Sequence, residues 1–330
     1  MEYCKHKYTI ALFCKGCKID PVMKMELALI VLRQTLTMAV YMVMGFTLFR
    51  MKLITKEGTK SLSNMLVYAI IPAIVLSSFL TERTPEKTVQ LGLSALLALG
   101  ALAIAVITGR LTYGKFPLGL FAVTFCNCGY FGAPLVSASF GESALFLTVA
   151  FIALHNNLQF IYGMSILSGE KMKFRPKDLV NNTILIATVL GLVIYLFDLS
   201  SSIHPIITGA IRGIASINSP LAMMVLGVYL AQTKIYELFT KAELYKLSAV
   251  RLLLIPAVTF LFLWPLPVES VMKYAVLIVA SAPIGVNVAA YSDIVGGDYG
   301  YGCQMVTLCT LLSIVVLPGL IALCALVPGF

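Results

Sequence analysis

Charge is scarce in this chain. Asp, Glu, Lys and Arg make up 12% of its 330 residues, against about 25% in a soluble globular domain. With 59% hydrophobic residues and a mean hydropathy of +0.94, it reads as a polytopic membrane protein whose main partner is the lipid bilayer. Histidine occurs three times and tryptophan once. No Ser-His-Asp set, phosphate loop or HExxH-type motif appears, which removes the familiar hydrolase, nucleotide-binding and zinc-protease readings. The net charge of +9 comes from short basic loops and not from a basic domain, so nucleic acid is excluded as a partner. The eight cysteines show no evenly spaced secreted framework. Cys126, Cys128, Cys303, Cys309 and Cys324 lie in apolar stretches, where a free thiol acts as a small hydrophobe. No cofactor and no metal site is expected.

What the chain has in quantity is long apolar runs. They fall at about 27–49, 64–80, 89–109, 117–140, 143–167, 179–198, 206–231, 248–266, 272–295 and 303–327. The run from Gly169 to Asp178 is the strongest hydrophilic interruption and divides them five and five. The expected fold is therefore all-α, with ten transmembrane helices. A first five-helix repeat covers 25–168, a cytoplasmic loop 169–178 and a second repeat 179–330. An odd number of spans per half makes the second half enter the membrane upside-down, as in inverted repeats. Residues 1–24 carry no span. Cys14-Lys-Gly-Cys17 with Cys4 and His6 has the spacing of metal ligands, but the stretch reads as a dispensable tail, or as residues before a true start at Met23 or Met25.

Two of the ten runs are interrupted. In 117–140 the interruption is Asn127, Gly129, Gly132 and Pro134; in 272–295 it is Pro283, Gly285 and Asn287. Glycine weakens a helix, proline removes an N–H, and the residue before proline is pushed out of helical geometry. The first span is expected to be helical to Cys126 and to restart at Pro134. Freed backbone groups survive in hydrocarbon only inside protein or beside a wet cavity. Paired interrupted spans in two halves are the sequence mark of a transporter's binding site. Each restarted half-helix would point its positive N-terminal end at the midplane, which suits an anion; the inner carbonyls would alternatively suit Na⁺ or a proton donor. The halves match by segment only, since Asn127 precedes its proline by seven residues and Asn287 follows its own by four.

Basic residues give the orientation. Those assigned to the odd-numbered loops are Arg50, Lys52, Lys56, Lys60, Arg110, Lys115, Lys171, Lys173, Arg175, Lys177, Lys234, Lys241, Lys246 and Arg251. The even-numbered loops have Arg83, Lys87, Arg212 and Lys273. The odd loops are then cytoplasmic and both chain ends lie outside the cell membrane, although the tail lysines oppose this.

Asn127-Cys-Gly-Tyr-Phe-Gly-Ala-Pro-Leu135 resembles the Asn-x-Gly-x-x-Gly-x-Pro-Leu signature of the auxin efflux carrier family. Ala282-Pro-Ile-Gly-Val-Asn287, with Tyr291 and Gly296-Gly-Asp298, resembles its second signature, and Val306–Pro318 its last helix. The resemblance covers about residues 27–327. It implies inverted repeats, a scaffold of the first, second, sixth and seventh helices that often forms a homodimer, and a six-helix transport domain. In that domain the fourth and ninth helices cross at their prolines, with elevator-like movement. The chain is closest in type to the bacterial permease branch. It lacks the long central loop of the plant carriers and has an acid, Asp293, beside the second crossover, which argues against auxin itself.

Within the fifth span His155 and Gln159 share a helix face and read either as a proton relay and cavity wall or as a pair joining helices. Asp293 is a candidate coupling residue, and Asp298 a helix cap. The leading expectation is a secondary transporter of a small organic anion such as a carboxylate, with substrate at Asn127, Gly129, Gly132, Pro134, Pro283, Gly285 and Asn287. The alternatives are an Na⁺- or H⁺-coupled symporter of another substrate class, an integral-membrane enzyme, or a sensor.

Overall fold

A backbone without water must satisfy its own N–H and C=O groups, so apolar runs of bilayer length become helices. The computed structural model describes residues 21–169, 183–233, 235–328 and 330. The expectations for residues 1–20 and for Lys171, Lys173, Arg175, Lys177 and Lys234 lie outside the described residues. The described chain is all-helical, with one isolated backbone bridge and no strand.

In chain order the helices are α1 (Pro21–Arg50), α2 (Lys56–Phe79), α3 (Pro85–Tyr113), α4 (Pro117–Thr124), α5 (Ala133–Phe140), α6 (Glu142–Ser168) and α7 (Thr183–Leu196). Then follow α8 (Pro205–Ser216), α9 (Asn218–Gln232), α10 (Ile235–Thr240), α11 (Ala242–Leu263), α12 (Ser270–Ala280), α13 (Asn287–Ile294) and α14 (Tyr299–Ala325). Among the described residues, seven helices are long and apolar enough to cross a membrane, the joined α8–α9 unit counting as one. The outward faces are apolar: Val40, Leu111, Ile206 and Val315 are all more than half exposed. In water such a surface would aggregate; in a bilayer it faces lipid tails.

Three sequence expectations change. α2 begins at Lys56, eight residues before the apolar run, because Thr55 caps it by accepting from the Gly58 N–H at 3.1 Å. α11 begins at Ala242, so Arg251 is inside the helix and not in a loop, and it is buried. Lys273 is likewise helical and buried in α12, where its ammonium donates to the Trp264 carbonyl at the end of the preceding helix (2.9 Å). Asp298 does cap α14, accepting from the Tyr301 N–H at 2.8 Å.

Prolines leave a regular mark. Pro72, Pro134 and Pro256 each follow a wide π turn, at Leu66–Ile70, Cys128–Gly132 and Val250–Leu254. The wide turn absorbs the missing N–H and the ring's clash with the preceding carbonyl. Pro220 sits just after the interruption at Ile217 that separates α8 from α9.

The helices pack in two sets. α9 lies along α1, and α7 and α8 pack on the end of α2. α3 packs on α4, α6, α11 and α12, while α14 packs on α11 and α13 and lies extensively along α1, where the two sets meet. Small residues let these backbones approach, as is usual between membrane helices. A side chain at Gly227 would overlap the Met42 carbonyl, and one at Gly45 would overlap Met224. Gly227→Ala is therefore expected to destabilise the protein by about 1–3 kcal/mol through overpacking. Gly209→Ala, where an added methyl group meets nothing within 4 Å, should melt at or above the wild-type temperature. Equal melting of Gly227→Ala and wild type in detergent would contradict the α1–α9 contact.

Candidate functional site at the crossing of two broken helices

The first break is shorter than the sequence suggested. α4 ends at Thr124, and the chain is helical again from Cys128, so only Phe125, Cys126 and Asn127 are unwound. Pro134 does not restart the helix; it sits within the first turn of α5, after the π turn. The reason is that a wide turn tolerates glycine at 129 and 132 and absorbs the N–H that Pro134 lacks, so the helix runs on through the proline. The second break runs from Ser281 to Val286, with Pro283 and Gly285 inside it and Asn287 as the first residue of α13. Measured from the restarted helix, Asn127 and Asn287 occupy adjacent equivalent places. The unequal distance to proline reflects where each proline falls and not where each amide sits.

The two breaks meet as a two-bond antiparallel bridge centred on Cys126 and Ile284. The Asn127 N–H donates to the Pro283 carbonyl at 2.8 Å, and the Gly285 N–H donates to the Phe125 carbonyl at 3.0 Å. Each unwound segment thus satisfies backbone groups of the other. Close approach requires glycine: a Cβ at Gly285 would lie 3.2 Å from the Cys126 oxygen, and one at Gly132 3.0 Å from Val279 Cα.

α4 and α12 both end at the crossing, which leaves carbonyls and two negative dipole ends inside the protein. Arg251 answers them. Its Nε donates to the Ala282 carbonyl at 2.9 Å and its Nη1 to the Val123 carbonyl at 3.1 Å, while its Nη2 donates to the Ala280 carbonyl. One planar fork therefore caps both half-helices. Sequence reasoning missed this residue by treating it as loop charge, although an arginine flanked by Val250 and Leu252–Leu254 is itself the signal of a functional intramembrane cation.

α6 contacts both breaks. His155 Nε2 accepts from the Cys126 N–H at 3.0 Å, and Gln159 Oε1 accepts from Asn287 Nδ2 at 3.1 Å. α9 contributes Asn218, whose Nδ2 donates to the Gly129 carbonyl at 2.9 Å. It too was missed; its place one residue from Ser219-Pro220 was the available hint. Several buried polar atoms lack a partner here, among them Asn127 Nδ2, Gln159 Nε2, His155 Nδ1 and the Tyr130 hydroxyl. Unpaired groups in such number mark a site made for a ligand or for water.

Cavities of about 290 and 430 Å³ flank the crossing. The smaller is lined by Asn287, Tyr130, Asn156, Tyr229 and Tyr291, with Ser63 and Asn64 of α2. The larger is lined by Pro134, Asn218, Gln34, Tyr41, Glu142 and Arg212. Tyr130 lines the smaller cavity, and Asn218, bonded to the Gly129 carbonyl, lines the larger. Of the expected site residues, Asn287 and Pro134 line cavities, Pro283 and Gly285 serve the backbone bridge, and Asn127 is buried at the bridge. The Asp293 side chain lies outside the described residues.

The sequence matches the model of the membrane transport protein family over residues 30–184 and 174–321, nearly the whole chain. The chain belongs to this family, that of the auxin efflux carriers. No curated protein matches it. A multi-pass membrane transporter is thus the frame in which the crossing acts.

Removing the Arg251 charge leaves the capped carbonyls facing an apolar interior. Arg251→Met is expected to lower stability by about 3 kcal/mol or more, since three buried carbonyls each lose a donor at roughly 1–3 kcal/mol. Arg251→Lys should recover only part, because an ammonium cannot reproduce the fork. Thermal melting of purified protein reads both, and wild-type melting of Arg251→Met would contradict the capping role.

Proposed function

We propose that the chain is a secondary transporter of a small organic anion, with the substrate held beside the crossing. The observation that carries this reading is the junction of two broken helices next to a cavity lined by Asn287. The restarted helices begin here, and the first N–H groups of a helix have no intrahelical partner. They present positive dipole ends to a ligand, while Arg251 neutralises the opposite ends. An asparagine amide can donate to a carboxylate through its NH₂ group.

The architecture we assign is ten spans in two inverted five-span repeats, α4–α5 and α12–α13 each forming one broken span. The antiparallel bridge supports opposite directions for the two. α1, α2, α7, α8 and α9 form a scaffold that could pair with a second copy, and the remaining helices carry the crossing. Both cavities lie between the two sets. Sliding one set past the other would open the crossing to alternate sides, an elevator-like cycle. The smaller cavity reaches Ser63 and Asn64, in the half of α2 nearer the first loop, and Thr183 beside the central loop; the basic-residue bias assigns both loops to the cytoplasm of a cell-membrane protein. Coupling to Na⁺ or H⁺ belongs to the same proposal, with His155, Gln159 and Asp293 as candidates.

One observation favours a second reading, a solute without net charge: among the described residues no charged side chain lines the smaller cavity. Uptake into proteoliposomes separates the two. A panel of radiolabelled carboxylates and neutral analogues is offered with and without Na⁺ or proton gradients. Saturable uptake of a carboxylate is expected, and uptake of none by folded protein would sink the proposal.

For the transported anion, Asn127→Ala and Asn287→Ala are each expected to lower apparent affinity by about ten- to a hundredfold. A hydrogen bond to a charged ligand is worth about 1.5–3 kcal/mol, and each 1.4 kcal/mol is about tenfold. Normal affinity together with a lowered melting temperature would assign these amides to the backbone instead. A cysteine placed at Lys173 should resist impermeant thiol reagents in intact cells; labelling there would reverse the orientation.

A further inference from the structure

We propose that Cys126, Cys128 and His155 form a site for one thiophilic metal ion of the Zn²⁺ class, seated at the first break. The two sulfurs and an imidazole nitrogen lie within 4.8 Å of one another, and all three side chains are buried. Both thiols are free. This set is separate from the tail cysteines and was invisible in the sequence, because His155 is brought to the break by the packing of α6.

The geometry suits an ion. Zn–S bonds of about 2.3 Å at a tetrahedral angle place two sulfurs about 3.8 Å apart. From the observed spacing the ligands need to close by at most about 1 Å. The backbone between Cys126 and Cys128 is held by the bridge to Pro283, so that closure falls to the side-chain torsions of the two cysteines and of His155. His155 Nε2 accepts from the Cys126 N–H, so the neutral ring carries its proton on Nδ1 and directs a lone pair at the break. That lone pair is the one an ion would take, in exchange for the N–H. The Nδ1 atom has no hydrogen-bond partner, and the ring is set in place by Phe125, edge-to-face, and Phe151, stacked. The Cys126 thiol already lies in contact with Cys128 and His155, and makes one long contact to the Val279 carbonyl, at 3.4 Å.

The charges also balance. Two thiolates neutralise a divalent ion, and their two protons leave to solvent on binding. No net charge is added to the interior. The fourth tetrahedral position stays open, as in zinc sites with three protein ligands. An ion here would tie the first break to α6 at the point where the two broken spans cross.

Cadmium is the probe, since its thiolate complexes absorb in the ultraviolet. The full chain is used, with Cys4→Ser, Cys14→Ser and Cys17→Ser to silence the tail. The proposal expects one Cd²⁺ bound per chain, thiolate-to-cadmium absorption and a raised melting temperature. Cys126→Ala, Cys128→Ala and His155→Gln should each weaken binding by at least about tenfold. If a variant fails to fold, footprinting of the unmutated site decides. Cd²⁺ should then protect Cys126 and Cys128, but not Cys303 or Cys309, from a membrane-permeant maleimide. Unchanged binding in Cys126→Ala/Cys128→Ala, or no protection of those two thiols, would overturn it.

Discussion

Everything at the centre of this protein depends on finding partners for backbone groups that two interrupted helices release into an interior without water. A carbonyl left bare there costs roughly 1–3 kcal/mol, and the breaks release several. The molecule meets the demand in two ways. The breaks bond to each other through Asn127 and Gly285, and Arg251 spans the carbonyls of Val123, Ala280 and Ala282. A single cation on α11 thereby holds α4 and α12 in one place. The surrounding amides, His155, Gln159 and Asn218, fix the same junction from α6 and α9.

This arrangement leaves an electrostatic asymmetry with functional use. The negative ends of α4 and α12 are neutralised by arginine, whereas the restarted helices keep their positive ends free. In the proposed reading the crossing favours a ligand that accepts hydrogen bonds, and among the described residues no fixed cation lines the smaller cavity. Walls of that cavity come from both helix sets, so relative movement of the sets changes its shape. In the cycle we propose, this junction links ligand capture to displacement.

Much of this was legible in the sequence, for physical reasons. Long apolar runs, glycines and prolines act locally, so the broken spans and the asparagines beside them could be read directly. The family signatures lie at the same residues. Arg251 was not legible as a cap, because the boundary of α11 was drawn from hydropathy and its basic residues looked like loop charge. The partnership of Gln159 with Asn287, across 128 positions, and that of Asn218 with Gly129 are tertiary facts without local signature. The same holds for the meeting of His155 with two cysteines. The place of Pro134 was misjudged because a π turn can precede a proline, whereas the sequence argument allowed only an unwound segment.

The central claim is that the two breaks form one junction, and a disulfide tests it most directly. Cys126 and Ile284 face each other across the bridge as a non-hydrogen-bonded pair, for which Cα atoms lie about 4.5 Å apart, within the range a disulfide accepts. Ile284→Cys, with Cys128→Ser and Cys309→Ser to remove the competing thiols and a protease site inserted between residues 169 and 178, is oxidised in the membrane and then cleaved. The account predicts that the two halves migrate together without reductant and separate with it. Halves that separate under both conditions, from protein that is otherwise folded, would contradict the crossing.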